Sequence, residues 1–415
     1  MTLGDARKGF RAGTHRAIDP RETIERARPH LAAMGITRVA NVTGLDRIGI
    51  PVVMVCRPNS RSLAVSQGKG RDLDAAKASG LGESIEAYHA ERIALPLRLA
   101  TYTEIRESAT VLDPMQLPRT RGSLYHPDLP ILWIEGRDLL QREPVWVPYE
   151  LVHFHYTLPP PTAKGCFAAT TNGLASGNTL AEAISHAICE VVERDALTLS
   201  PIRGPEEWRA RRIDLSTVDD PACLEILARY EAAGIDVQAR DITSDVGLPV
   251  FRCSIAERVP DPWRPMPAYG GTGCHPAREV ALLRALTEAA QNRLTVIAGS
   301  RDDVDRGEFG RFLHADTAAR AQRRYAAEET GPRAFTAVPS HAAETLEGDV
   351  DFALRRLRDV GVRRVAMVDL TRPEIGWPVV RVIIPGLEGI GDLPGYLHGA
   401  RAATLAVRQR GAIEL

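Results

Sequence analysis

The fold is decided by the stretch Ser176-Gly177-Asn178-Thr179-Leu180-Ala181-Glu182-Ala183-Ile184-Ser185-His186-Ala187-Ile188-Cys189-Glu190-Val191-Val192-Glu193-Arg194-Asp195. This pattern predicts a turn, a helix cap at Ser176 or Asn178, and then a helix in which acids interrupt an apolar run. Glu190 and Glu193 are three residues apart, so they share one face of the helix. Ala187 and Ala183 lie one and two turns behind Glu190, which predicts a shallow groove ending in two carboxylates.

The same arrangement of small and acidic residues occurs in two further segments. Each copy has a central acid, small residues seven and three positions before it, and an acid or an amide three positions after it. In this order of positions, the copies are Ala76, Gly80, Glu83 and Glu86; Ala183, Ala187, Glu190 and Glu193; and Ala281, Ala285, Glu288 and Gln291. Three copies in register predict three related helices, over residues 75–91, 182–197 and 279–295. The small side chains let another part of the molecule approach each helix closely. The pair of oxygen ligands comes after them in the sequence of the same helix.

A short glycine-bearing segment precedes each of these helices. The three segments are Gly68-Lys69-Gly70, Ser176-Gly177-Asn178 and Gly270-Gly271-Thr272-Gly273. We interpret them as turns whose backbone N–H groups and helix dipoles face an anion.

Five carboxylates and one amide converging on one place would repel each other strongly unless cations lay between them. Mg²⁺ is usually held by a few carboxylates together with substrate phosphates. The repeated acids therefore predict a nucleotide site with divalent cations. The alternative interpretation is that these acids are solvated residues on surface helices, which is the commoner fate of a glutamate pair.

A basic, glycine-spaced arm covers residues 8–16. Its Lys8, Arg11, Thr14 and Arg16 either contact phosphates or belong to a solvated terminus. The arm alone does not decide between these two interpretations.

The bulk composition is that of an ordinary globular enzyme. The chain has 415 residues, of which 44% are hydrophobic and 25% charged, and a formal net charge of -1. This charge gives no bulk drive toward nucleic acid or acidic membranes. We find no signal peptide and no apolar run long enough to span a bilayer, so we expect a cytoplasmic protein with neither a nucleic acid nor a membrane as its partner.

Six cysteines are scattered through the chain without a Cys-x-x-Cys pair. This spacing indicates neither a zinc ribbon nor a disulfide framework. Cys189, next to Glu190, and Cys274, in the third glycine segment, are the two whose positions suggest a function, although the role of a small core residue is more common.

A second repeat predicts an α+β fold with antiparallel sheets that carry helices on one side. Each copy has a helix, a glycine stop, a strand, a turn and a strand opened by Gly-x-Pro. In the first copy the helix covers residues 20–33, and the hairpins of the three copies lie near residues 36–55, 235–251 and 362–382. We expect one catalytic domain over 1–415, with subdomain units of roughly 1–100, 151–300 and 345–415, a proline-rich connector over 101–161 and an exposed excursion over 301–348.

The assembled motifs resemble the YcaO superfamily. The resemblance rests on three segments, which are Ser66-Gln67-Gly68-Lys69-Gly70 with Glu83 and Glu86, residues 177–183 with Glu190, Glu193, Arg194 and Asp195, and residues 284–294. The segment 291–303 looks most like the TfuA-associated branch of this superfamily.

The resemblance implies a YcaO-like fold with ATP and Mg²⁺ as cofactors. By motif, Glu83, Glu86, Glu190 and Glu193 would ligate Mg²⁺, and Ser79, Asn178 and Glu182 would hold the nucleotide. Lys8, Thr14, Arg194 and one of Arg284 or Arg293 would contact phosphates. Glu288 and Gln291 are added as metal ligands from the internal repeat, and no catalytic residue is assigned.

The resemblance also implies that the enzyme activates a backbone amide of a ribosomally made peptide or a protein by phosphorylating the amide oxygen. Azoline-forming members commonly end in a proline-rich tail, whereas this chain ends Ala412-Ile413-Glu414-Leu415. This departure, together with the TfuA-like segment, favours thioamide formation, with sulfide as nucleophile and a TfuA-like partner that delivers sulfur. The family resemblance also suggests a homodimer. The alternatives are an azoline-forming cyclodehydratase and a nucleotide-binding accessory protein for sulfur transfer or methylthiolation.

Overall fold

The computed structural model describes residues 6–160, 164–259, 266–301 and 333–413, together with positions 261, 303 and 307. The helices of this part are α1 (Pro20–Ala27), α2 (Leu73–Ala90), α3 (Tyr102–Ile105), α4 (Leu180–Leu199), α5 (Pro205–Ala210), α6 (Pro221–Ala232), α7 (Arg278–Ala298), α8 (Leu346–Asp359) and α9 (Ala400–Ile413). The three acid-bearing helices α2, α4 and α7 therefore confirm the predicted segments to within three residues at each end.

The strands form antiparallel sheets, as the α+β prediction required, with one short parallel pair. They are β1 (Arg38–Asn41), β2 (Val52–Cys56), β3 (Val65–Lys69), β4 (Leu97–Ala100), β5 (Arg119–Thr120), β6 (Ile131–Asp138), β7 (Pro144–Pro148), β8 (Leu174–Ser176), β9 (Ile213–Asp214), β10 (Ile235–Asp241), β11 (Val250–Glu257), β12 (Tyr269–Cys274), β13 (Arg333–Ala334), β14 (Ala366–Asp369), β15 (Val379–Ile383) and β16 (Tyr396–Leu397). The parallel pair is β13 with β9.

Three units share one topology, in which a β-hairpin pairs with a third strand that leads into an acid-bearing helix. The units are β1-β2-β3 with α2, β10-β11-β12 with α7, and β14-β15-β8 with α4. The first two are continuous in sequence. In the third, β8 and α4 come long before the hairpin, so the repeat is complete in space although its order along the chain is changed.

The glycine segments before the helices do not form the anion-binding turns that we predicted, except in part around Gly177. Gly68 lies within β3, and Gly271 and Gly273 lie within β12. A Cβ atom at Gly68 would lie 2.1 Å from the carbonyl oxygen of Ala76, and one at Gly271 would lie 2.3 Å from that of Ala285. These glycines therefore let each strand contact the small-residue face of its helix, where we expected a groove.

The caps of two of these helices come from residues just before the first turn. The Thr179 side chain caps α4 by accepting a hydrogen bond from the Glu182 N–H, so the predicted cap at Ser176 or Asn178 was wrong. Asp72 caps α2 in the same way through the Ala75 N–H. The prediction for the first helix was wrong at its end, because α1 stops at Ala27 and a 3₁₀ turn containing Pro29 follows it.

The region predicted as a proline-rich connector contributes strands to the largest sheet. This sheet has the order β4-β6-β14-β15-β8, with β7 paired to the other side of β6. Trp133 of β6 is fully buried, and its indole N–H donates to the Ala100 carbonyl at 2.9 Å. The prolines at 144 and 148 lie at the two ends of β7, where a missing N–H is tolerated.

The predicted excursion over 301–348 lies mostly outside the described residues. Its described part, 333–348, is not wholly exposed, because Phe335 and Val338 are fully buried in the core of the second unit. None of the described helices is both long and apolar enough to cross a membrane.

We expect Gly68→Ala to destabilise the protein by about 2–3 kcal/mol, because the added methyl group must displace backbone atoms of α2. Gly44→Ala is the matched control, since a Cβ atom at Gly44 has no neighbour within 4 Å. Chemical denaturation of both variants measures the difference. Equal midpoints for the two variants would show that the strand and helix are not in this close contact.

Candidate active site

The acidic ends of α2, α4 and α7 meet in one cavity of about 680 Å³. Twelve of the fourteen site residues predicted from the sequence line it, namely Thr14, Ser79, Glu83, Glu86, Asn178, Glu182, Glu190, Glu193, Arg194, Arg284, Glu288 and Gln291. The structure thus brings the three acid pairs together, and their assignment as metal ligands stays a prediction. Lys8 and Arg293 do not line this cavity.

Strand backbones hold two of the central acids in equivalent positions. The Gln67 N–H of β3 donates to Glu83 Oε2 at 3.3 Å, and the Thr272 N–H of β12 donates to Glu288 Oε1 at 3.3 Å. The third strand acts on the neighbouring helix, because the N–H and Oγ of Ser176 both donate to Glu86 Oε1, at 2.8 and 2.9 Å.

Removal from water raises the pKa of three carboxyl groups in the cavity. It raises the pKa of Glu86 to about 8, with the charge of Glu190 adding to the effect and the Ser176 hydrogen bonds opposing it. It raises the pKa of Glu190 to about 7, opposed by Arg194 and assisted by Glu193. The pKa of Glu83 rises for the same reason, against the charges of Arg301 and Lys69.

Two basic side chains on the cavity wall partly offset this negative charge. Lys69 Nζ lies 2.8 Å from Glu288 Oε2, and Arg194 Nη1 lies 3.8 Å from Glu193 Oε1. Burial opposes ionisation of Glu288, but the charges of Lys69 and Arg194 lower the pKa of this carboxyl overall. Thr272 Oγ1 also donates to Glu193 Oε1 at 2.8 Å.

The donor set fits Mg²⁺. Five carboxylates and the Gln291 amide surround one space, and among the described residues only Lys69 and Arg194 make ion pairs with the carboxylates of the three acid pairs. These carboxylates are hard oxygen ligands, and the nearby basic side chains do not neutralise all of their charge. A divalent cation that also binds phosphates would supply the missing positive charge.

Glu182 binds the N-terminal arm to the cavity. Its carboxylate accepts hydrogen bonds from Arg16 Nη1 and the Ala17 N–H, both at 2.9 Å, and from Asn178 Nδ2 at 3.1 Å. This contact places Ala12, Gly13, Thr14 and Arg16 on the cavity wall. The predicted nucleotide contacts of Glu182 and Asn178 stay predictions.

Lys8 contacts residues away from the cavity wall, contrary to its predicted position. Its Nζ lies 2.7 Å from Asp349 Oδ2 and 3.1 Å from His15 Nδ1, and both charged side chains are fully buried. Asp349, His15 and His275 are close enough to share a cation. The Lys8 ammonium already neutralises Asp349, so we interpret this group as the anchor of the arm on α8.

Arg293 is also in a different place from that predicted. Its guanidinium is buried and makes ion pairs with Asp46 and Glu257, at 2.8 and 2.9 Å. Of the two candidates for a phosphate contact, Arg284 therefore has the geometry that fits, because it lines the cavity. Arg293 instead connects the second unit, through Glu257, to the first unit, through Asp46.

The sequence interpretation missed Lys69 and His186 on the cavity wall. Lys69 was interpreted as part of a turn, although its alternation with Gln67 in a strand would have predicted a shared face. His186 lies four residues before Glu190, a spacing that predicts the same face of the helix. Burial and the charge of Arg284, whose Nη2 is 2.6 Å from His186 Nε2, hold the pKa of this histidine well below its ordinary value.

Comparisons with known proteins agree with this geometry. Residues 67–388 match the family described as YcaO cyclodehydratase, ATP- and Mg²⁺-binding. An uncharacterized protein in the tfuA 3′ region of Rhizobium leguminosarum bv. trifolii is 38% identical over 384 residues, covering 90% of this chain and 88% of that protein.

Two solved structures share the fold. YcaO from Methanopyrus kandleri, bound with AMPPCP and Mg²⁺, matches with a TM-score of 0.72 and 25% identity, over 95% of this chain and 98% of that one. A heterocyclase in complex with substrate and cofactor matches with a TM-score of 0.76 and 22% identity over 94% of this chain. This chain spans 55% of the length of that heterocyclase.

Fold and cavity together define an α+β protein with one acidic cavity between three repeated units. The chain belongs to the YcaO family. Family membership confirms the predicted resemblance, the predicted fold class and the two predicted cofactors.

The raised pKa values of Glu86 and Glu190 predict that these two carboxyl groups stabilise the metal-free protein less as the pH rises. Buried histidines such as His186 and His275, whose pKa values are lowered, act in the opposite direction below their ordinary value of 6.5, so the effect of the carboxyl groups is measured above that pH. Between the ordinary value of 4.5 and about 7 to 8, folded Glu190 and Glu86 retain protons that the unfolded chain has lost. The free energy of unfolding should therefore fall by up to about 1.4 kcal/mol per pH unit for each retained proton. Urea denaturation without Mg²⁺, between about pH 7.5 and about pH 8.5 where the histidines are largely neutral in both states, measures this slope.

Glu86→Gln should make that slope shallower, because the amide keeps the acceptor but cannot ionise. Glu107→Gln, at an exposed position outside the cavity, should leave the slope of the wild type unchanged. The same slope in Glu86→Gln and wild type would show that Glu86 does not retain a proton in the folded protein.

Proposed function

We propose that this protein uses Mg²⁺ and ATP to activate a backbone amide of a peptide or protein for thioamide formation, with a TfuA-type partner that supplies sulfur. The observation that carries the proposal is the convergence of three acid-bearing helices on one cavity whose wall also carries Lys69, Arg194 and Arg284. Such a cavity suits the negatively charged triphosphate of ATP, bound through Mg²⁺ and the basic side chains, beside the peptide amide with which it reacts.

The proposed reaction exchanges one oxygen for one sulfur. Hydrosulfide adds to the amide carbonyl carbon, and the resulting oxygen takes the γ-phosphoryl group of ATP. The C–O bond then breaks, phosphate leaves with the former amide oxygen, and the proton of the hydrosulfide passes to solvent. The products are the thioamide, ADP and phosphate. An amide oxygen is a poor leaving group, and phosphorylation removes that obstacle.

Each group of residues on the cavity wall has a proposed role. Glu83, Glu86, Glu190, Glu193, Glu288 and Gln291 hold Mg²⁺, and Ser79, Asn178 and Glu182 hold the nucleotide. Thr14, Arg194 and Arg284 contact phosphates, and we add Lys69 to them because its ammonium lies within the acid cluster. When bound, Mg²⁺ supplies the positive charge that offsets the charge developing on the phosphoryl oxygens.

Support for the thioamide reaction comes from the relative named for the tfuA 3′ region. The family description and the heterocyclase of similar fold favour a second candidate, cyclodehydration of Cys, Ser or Thr to azolines. A cytoplasmic location stays part of our proposal, because the reaction consumes ATP. A homodimer also stays part of it, on the family resemblance alone.

The two candidate reactions differ in the mass of the product. We expect a substrate peptide incubated with the protein, the partner, Mg²⁺-ATP and sulfide to exchange oxygen for sulfur in its mass spectrum. The exchange should require all four additions. A product that has only lost water would favour the cyclodehydratase and exclude our first choice.

Glu190→Gln should reduce peptide-stimulated phosphate release by at least about a hundredfold, because the amide weakens metal binding at the centre of the acid cluster. Glu206→Gln, an exposed residue at the start of α5, is the control and should keep the rate of the wild type. Phosphate release is followed at several Mg²⁺ concentrations. Unchanged Mg²⁺ dependence in Glu190→Gln would remove this residue from the metal site.

A further inference from the structure

A second concave site lies on the outer surface of α8, with no lining residue in common with the cavity. We call it the α8 pocket and define it by His341, Phe352, Arg355, Arg356, Arg358 and Asp359. Its volume is about 560 Å³. None of its residues was assigned a role from the sequence.

The α8 pocket has a rigid base. The opposite face of α8 carries Val350, Ala353 and Leu357, which pack into the same core cluster as the apolar side of α4. The His341 N–H donates to the Pro276 carbonyl at 2.9 Å and so holds the loop beside the pocket. A ligand bound at the pocket would therefore contact the helix that backs α4.

The floor of the pocket is aromatic. The rings of His341 and Phe352 are stacked, with centroids 4.0 Å apart and an interplanar angle of 13°. Both side chains are half-buried. This flat surface can accept an apolar or aromatic side chain of a ligand.

The rim of the pocket carries excess positive charge. Arg355 and Arg358 are exposed, and no ion pair to either is found among the described residues. Arg356 is partly neutralised by Asp359, whose Oδ2 lies 3.6 Å from its Nη1, and its Nε donates to the Val246 carbonyl at 2.9 Å. Arg364, further along the chain, is outside the pocket and pairs with Asp138 and Glu143, at 2.9 and 2.8 Å. The excess positive charge of the rim therefore rests on Arg355 and Arg358.

A favourable interaction with the helix dipole explains arginines in the last turn of α8, where Arg356 and Arg358 lie. It does not explain Arg355 or the aromatic floor. Arg355 and Arg358 are three residues apart on α8, so they share one face of the helix. Carboxylates three or four residues apart on a helical ligand would lie about 5–6 Å apart and could pair with both arginines.

We propose that the α8 pocket binds an acidic segment of the peptide or protein substrate, in which carboxylates flank an apolar or aromatic residue. The carboxylates pair with Arg355 and Arg358, and the apolar residue packs on His341 and Phe352. This assignment of the ligand rests on the proposed function, which makes a peptide or protein the substrate. The site holds the substrate away from the reacting amide and leaves the cavity free for ATP.

The test uses a fluorescein-labelled peptide of glutamate residues around one phenylalanine, and its fluorescence anisotropy with the full chain at low salt. We expect the double variant Arg355→Glu with Arg358→Glu to bind this probe at least about tenfold more weakly than the wild type, a difference of about 1.4 kcal/mol. The control is Arg38→Glu with Arg209→Glu, which makes the same change in net charge at exposed positions elsewhere. The control should bind the probe within about twofold of the wild type.

Further probes test the chemistry of the ligand. Replacing the glutamates of the probe by lysine should abolish binding, and replacing its phenylalanine by glycine should weaken it. Equal binding by the two double variants, or undiminished binding of the lysine peptide, would overturn the proposal. A single-stranded oligonucleotide that binds more tightly than the acidic peptide, with the same dependence on Arg355 and Arg358, would overturn the peptide as ligand.

Failure of this inference is distinguishable from failure of the proposed function. Glu190→Gln should bind the acidic probe like the wild type, whatever reaction the cavity performs. The Arg355→Glu, Arg358→Glu variant should keep its thermal melting temperature and its affinity for Mg²⁺-ATP. Loss of either would show that the two arginines support the fold, and the surface assignment would then be wrong.

Discussion

Backbone contact between strand glycines and helix alanines positions the acid-bearing helices α2 and α7. Gly68, Gly271 and Gly273 touch the small-residue faces of α2 and α7 so closely that no side chain fits between strand and helix. The contact fixes the distance between strand and helix, and the spacing of small residues and acids fixes where the acid lies along the helix. The carboxylate of each such acid is therefore held at a defined position relative to its strand. These two units, together with the α4 unit, place their acids around one cavity.

The same convergence stores electrostatic repulsion in the folded protein. Lys69 and Arg194 offset part of the negative charge, and Arg381 lies behind Glu190 as a further positive charge. Arg381 is buried, and its removal from water lowers its pKa to about 10 although the charge of Glu190 opposes this effect. Repulsion that remains until cations bind is typical of sites whose function is to hold them. The fold tolerates it because three hydrophobic clusters surround the cavity.

The helices and their acids were predictable because both signals are local. Small residues at fixed spacing before Glu83, Glu190 and Glu288 identify a helix face from neighbouring positions alone. The positions of Lys8 and Arg293 depend on partners far away in the chain, Asp349 and Asp46, which no local pattern reveals. The glycine segments were misinterpreted for a related reason, since a turn and a tightly packed strand both favour glycine and only the facing helix decides between them.

The order of elements in the third unit has a consequence for how the protein is made. During synthesis β8 and α4 leave the ribosome early, yet their hairpin partner β14-β15 emerges only near the end of the chain. Until then the part of the apolar side of α4 that packs on β15 stays uncovered, and the edge of β8 stays open. Ser176 finds Val379 only after almost the whole chain is available, so this pairing has high contact order and closes late. The nascent polypeptide therefore exposes apolar side chains of α4 and an unpaired strand edge until β15 has been made, and both features favour aggregation.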